Sequence, residues 1–187
     1  MVLEDDEKRE LLRIARTSIE SALNIRSADN PPASSGHLLE LHGVFVTLRI
    51  KGELRGCIGY VEPRLPLYRS VGEIARKAAF EDPRFPPLRS DETSEVEIEI
   101  SVLSPLEKVR DFGTIVVGKH GVVIEAGMLR GLLLPHVARE YDWGREELLN
   151  HAALKAGLPP EGWKRRDAQV YTFTANTFSE SELYELH

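Results

Sequence analysis

Apolar residues recur at helical spacing over residues 5–26, where Leu11, Leu12, Ala15, Ile19, Ala22 and Leu23 share one side and charges take the other. This is the pattern of a surface helix laid on a core. Residues 27–36 gather Pro31, Pro32, Gly36 and small polar side chains, which end the helix in a loop. The period then changes to two: Val44, Val46, Leu48 and Ile50 alternate with Phe45, Thr47 and Arg49, as in a half-buried strand. Lys51-Gly52 supplies a turn, and residues 53–60 return as the second strand of a hairpin. Leu67, Val71, Ile74, Ala75, Ala78 and Ala79 predict a second helix, stopped by the rigid stretch Glu81-Asp82-Pro83-Arg84-Phe85-Pro86-Pro87.

The clearest strand spans residues 95–103, with Val96, Ile98, Ile100 and Val102 on one face and Glu95, Glu97, Glu99 and Ser101 on the other. Beyond it the pattern predicts a hairpin pairing residues 114–117 with 122–126 and an apolar strand or helix entry at residues 132–135. A helix over residues 145–156 follows, stopped by Gly157, and then a last strand over residues 170–176. Hairpins interleaved with helices, without regular βαβ units, define an α+β protein on an antiparallel or mixed sheet.

Composition narrows the classes. The chain has 187 residues, 42% hydrophobic and 29% charged, enough for one large domain or a domain with a small subdomain. A net charge of -6 disfavours a protein that coats nucleic acid or an anionic membrane. No apolar run reaches membrane-spanning length, the first residues are acidic rather than signal-like, and a lone cysteine forms no intrachain disulfide. The expected location is the cytoplasm.

That cysteine gives the chain its chemical focus. It lies in Leu54-Arg55-Gly56-Cys57-Ile58-Gly59, where Gly56 and Gly59 permit close approach to the backbone. A strand puts Arg55 and Cys57 on one face, and a guanidinium favours the thiolate. The competing reading makes Cys57 a small buried residue in a glycine-bent strand. The β-strand carboxylates Glu97 and Glu99 are either a solvated face or partners for Arg55 or Arg84 across a groove. His37, His42, His120, His136, His151 and His187 form no HExxH or similar pair, so spacing supports no metal site. A nucleophilic pair of Cys57 with His136 or His37 has no fixed distance in sequence. The GxxG spacing of Gly56 and Gly59 lies in strand-like sequence, unlike the helix-joining loop of an RNA-binding KH domain, and no nucleotide-binding glycine fingerprint is present.

Taken together, Phe45-Val46-Thr47-Leu48, the Leu54 to Gly59 hexapeptide, Asp82-Pro83-Arg84-Phe85-Pro86-Pro87-Leu88, the run from Glu97 to Ser104, Gly131-Leu132-Leu133-Leu134-Pro135 and Lys155-Ala156-Gly157-Leu158 resemble the AMMECR family over nearly the whole chain. The resemblance implies one AMMECR-like domain over residues 1–187 in two subdomains. The N- and C-terminal parts form a larger lobe with an antiparallel sheet flanked by helices, the middle forms a smaller mixed α/β lobe, and the motif lies near the cleft between them. It brings no settled activity and names no cofactor. It does imply a pathway shared with a Memo-like protein of the extradiol dioxygenase class and a radical S-adenosylmethionine protein. Many relatives carry glutamine where this chain has His136, against a base there. The functional expectation is an enzyme or enzyme component with Cys57 as its reactive group, Arg55, Gly56, Gly59, Arg84, Glu97 and Glu99 around the ligand, and a small anionic metabolite as substrate. The alternative is a non-catalytic protein-binding module; nucleic-acid binding ranks third.

Overall fold

The computed structural model describes residues 3–25 and 33–184. The chain divides into two compact units, Met1–Leu103 with Asn176–His187, and Ser104–Ala175. Fold class is α+β, as the patterning predicts.

In the first unit, helix α1 (Asp5–Ala22) and helix α2 (Leu67–Phe80) cover one face of a four-stranded sheet ordered β2-β1-β3-β8, with β1 Val44–Ile50, β2 Glu53–Tyr60, β3 Val96–Leu103 and β8 Ala175–Ser179. The period-two apolar residues Val46, Leu48, Ile98 and Ile100 meet Leu11, Leu12, Ala15, Ile74 and Ala75 in one core. Each fully buried branched side chain there contributes roughly 1.5–3 kcal/mol relative to exposure. Acidic residues crowd the first turn of α1, and Glu7 accepts the Glu4 N–H at 2.9 Å, complementing the helix N-terminus. At the C-terminal end, helix α5 (Glu180–Tyr184) is pinned by Arg16, which donates to the Glu180 carboxylate and to the carbonyls of Thr93 and Val96. Strands β3 and β8 run antiparallel as neighbours: Ser101 and Thr177 hydroxyls bond at 2.9 Å, and just beyond, Ser104 donates its N–H to Thr174 at 2.9 Å.

The second unit has its own core beneath a sheet ordered β4-β7-β5-β6, with β4 Glu107–Lys108, β5 Gly121–Ala126, β6 Leu129–Leu133 and β7 Ala168–Phe173. Its helices are the single turn α3 (Val137–Glu140) and α4 (Arg145–Lys155), whose Leu148, Leu149, Ala152 and Ala153 pack against Val122, Ile124 and Trp163.

Three sequence expectations change. Residues 114–117 are no strand: the Asp111 side chain accepts the Gly113 N–H at 2.8 Å, His120 accepts the Val116 N–H at 3.1 Å, and Arg145 takes the Ile115 carbonyl at 2.9 Å. The hairpin partner of β5 is instead β6, reached through a turn in which Gly127 has φ 60°, a conformation glycine adopts at little cost. The single last strand expected over residues 170–176 divides between β7 and β8 at Thr174 and so serves both sheets. Glu95 belongs to a 3₁₀ turn before β3. Of the loop expected over residues 27–36, residues 27–32 lie outside the described residues. Among the described residues no helix is long and apolar enough to cross a membrane.

Candidate functional site

The hexapeptide lies on β2, an edge strand of the first sheet. Cys57 stands opposite Thr47 on β1 and Thr47 opposite Glu99 on β3, so the three share a row on the face away from the helices. The backbone of Cys57 points outward from the sheet edge: its N–H donates to Asp82 Oδ2 at 2.9 Å, and its carbonyl accepts from Arg84 Nη2 at 3.3 Å. Cys57 and Thr47 are therefore a non-hydrogen-bonded pair, whose side chains come close, and the Thr47 hydroxyl donates to Cys57 Sγ at 3.4 Å.

Asp82 is the hub of this edge. Its side chain is 2% exposed, and it accepts from the Arg84 backbone at 3.1 Å and from Arg84 Nε and Nη2 at 3.0 and 2.7 Å. The Arg84 guanidinium holds the Asp82 carboxyl down at about 2, with the Cys57 and Arg84 N–H groups assisting against burial. Arg84 is raised in turn by the bond to Asp82. Its side chain stays 55% exposed, and Nη1 has no protein partner among the described residues.

Arg55 has a different role. The register shifts between Leu48 and Arg49, leaving Arg55 as the extra residue of a bulge. Its guanidinium grips Glu92 at 2.9 and 3.0 Å and donates to the carbonyls of Pro86 and Pro87. That bond lowers the Glu92 pKa, chiefly through Arg55. The hexapeptide and the Asp82-to-Leu88 segment thus lock to each other, and the two arginines find carboxylates in Glu92 and Asp82 rather than on β3. Gly56 sits beneath α2, where a methyl group would overlap the Ala78 carbonyl oxygen; at Gly59 it would overlap the Phe45 ring. Both glycines serve close packing. Glu97 accepts from the Ser181 hydroxyl, and Glu99 completes the row through Thr47.

Of the described histidines, His37 pairs with Glu7, His42 with Glu40 and the Leu103 carbonyl, His120 accepts the Val116 N–H, His151 stacks on Trp143, and His136 stands at the start of α3. Among the described residues no group of three or more His, Cys, Asp or Glu is arranged to hold a metal ion. Thr47, Asp82 and Glu92 escaped the sequence reading as site residues. Asp82 had a signal, an acid two residues before an arginine in a proline-rich stretch; Glu92 had none.

A chain with two antiparallel sheets, helices α1 and α2 on the first and a glycine-flanked cysteine on that sheet's edge defines an α+β class shared with known proteins. The chain belongs to the AMMECR1 family, whose model matches residues 12–178. A protein of Methanothermobacter thermautotrophicus is 44% identical over 188 residues, covering 95% of this chain and 96% of its own length. One of Methanopyrus kandleri is 44% identical over 185 residues, covering 92% and 87%. The crystal structure of an uncharacterised protein from Pyrococcus horikoshii superposes with a TM-score of 0.89 at 39% identity, over 95% of this chain and 93% of that one.

Proposed function

We propose that this chain is an enzyme, or the ligand-holding component of one, acting on a small anionic metabolite at the outer face of the β2-β1-β3-β8 sheet with Cys57 as its reactive group. The carrying observation is what the fold leaves over from the hexapeptide. Arg55 is held by Glu92, Gly56 and Gly59 are filled by neighbours, and Ile58 packs on the core. Cys57 alone offers a reactive atom. The Thr47 hydroxyl donates to its sulfur, and the Arg84 guanidinium reaches its carbonyl. The free Arg84 Nη1 is a donor for an anion, and Glu97 and Glu99 on the same face are candidates for proton transfer.

Alkylation of the native protein across pH tests this. A Cys57 that is alkylated in the folded state supports the role; a thiol that reacts only on unfolding removes it. A pathway shared with a Memo-like protein and a radical S-adenosylmethionine protein is the finer reading, supported by the resemblance. Metabolite profiles of a deletion strain rescued by wild type but not by Cys57→Ser support it.

A protein-binding role is favoured by one observation, the rigid, half-exposed Arg84 and Phe85 surface that the locked edge presents. In that case Arg84→Glu abolishes partner capture and Cys57→Ala does not.

A further inference from the structure

A groove in the first unit does not touch Cys57. It has a volume of about 550 Å³, inside the range of small-molecule sites. Gly72 of α2 and Ser18 of α1 form part of its lining, with the Ser18 hydroxyl donating to the Gly72 carbonyl at 2.7 Å. Along α2 it is lined by Tyr68, Arg69, Glu73, Arg76, Lys77 and Glu81. Because α2 covers the core face of the sheet, this groove and the row holding Cys57 belong to opposite sides of it.

Charges in the groove are unequally matched. Glu73 is taken by Lys77 at 2.7 Å, and Lys77 also donates to the Tyr60 hydroxyl at 2.7 Å. The Arg69 guanidinium lies 5.7 Å from the Tyr68 ring centre and donates through Nε to the Tyr68 hydroxyl at 2.9 Å, a contact that leaves its charge without a carboxylate. Arg76 has no hydrogen bond or ion pair among the described residues. Positions 69 and 76 are two helical turns apart, about 10 Å along the axis, on one helix face. Long side chains at that spacing converge on a single elongated anion, and guanidinium forks match phosphate oxygens in pairs. With Glu73 paired to Lys77, the Glu81 carboxylate is the lining acid left to oppose them.

We infer that the α2 groove is a binding site for a phosphate-bearing small molecule, clamped through two neighbouring phosphate groups by Arg69 and Arg76. The site is independent of the Cys57 reading, because no residue is shared.

Titration calorimetry of the full chain with inorganic pyrophosphate, and with ADP, at low ionic strength provides the test. The site predicts saturable binding of both probes at one per chain. The double variant R69A/R76A weakens it by at least about tenfold, as loss of charge-assisted hydrogen bonds demands. E81Q tightens it by about threefold, since a like charge is removed from the site. Cys57→Ser leaves it unchanged, which separates this site from the sheet-face proposal. Thermal melts confirm that each variant is folded. Absence of heat with either probe, or equal affinity for wild type and the folded R69A/R76A variant, overturns the inference.

Discussion

Arg55 satisfies four acceptor atoms at once, two on Glu92 and the carbonyls of Pro86 and Pro87. Its ion pair is largely screened from water, with side-chain exposures of 12% and 20%, so removing one partner strands the other. Arg55→Ala is expected to lower unfolding free energy by about 2–3 kcal/mol in urea titrations, whereas Arg55→Lys, which keeps charge but loses the fork, costs about half as much. Gly56→Ala is expected to be the severest single change in the motif, because the Ala78 carbonyl is helix backbone and cannot step aside; loss of a cooperative melt is the readout. The sequence showed Cys57 between two glycines and an arginine nearby. It did not show that Arg55 belongs to a carboxylate 37 positions away, since nothing local to Glu92 marks it as a partner.

At the scale of elements, β2 is an exposed sheet edge made safe by chain that is not itself a strand. Asp82 and Arg84 occupy the outward N–H and C=O of Cys57, which leaves that position closed to another strand. This lock depends on pH in a calculable direction. Asp82 has a carboxyl pKa of about 2 in the fold against 3.8 for the ordinary group, so the unfolded chain binds its proton more readily. The resulting stability, about 2 kcal/mol, is fully present above about pH 4 and is lost as pH falls toward 2. The difference in melting temperature between wild type and Asp82→Asn should therefore be largest at neutral pH and shrink over that window. Elements with a strong period, α1, α2, β1 and β3, were legible because one face of each meets a large core. The two-residue β4 carries no periodic signal, and residues 114–117 look like a strand by composition while side-chain bonds from Asp111, His120 and Arg145 dictate otherwise.

For the whole molecule, the decisive feature is where the second unit interrupts the first. Ser104–Ala175 leaves the chain between β3 and β8, neighbours already paired up to the Ser104–Thr174 bond. An Asn-Gly turn in place of that segment is the geometry of an ordinary hairpin, and the shortened chain is expected to keep a single cooperative unfolding transition by circular dichroism. The α+β class could be read from hairpins alternating with helices, but the division of residues 168–179 between two sheets could not, because one stretch rich in Thr, Val, Tyr and Phe fits a single long strand equally well. The placement of the break also sets an order of events during synthesis. The fourth strand of the first sheet emerges from the ribosome after the entire inserted segment, so β3 waits with an open edge until then. An inserted segment that has already folded holds the two ends side by side, while an unfolded loop of roughly 70 residues would add about 3 kcal/mol to the cost of closing the sheet. Folding of the middle of the chain is thus a precondition for efficient completion of its ends.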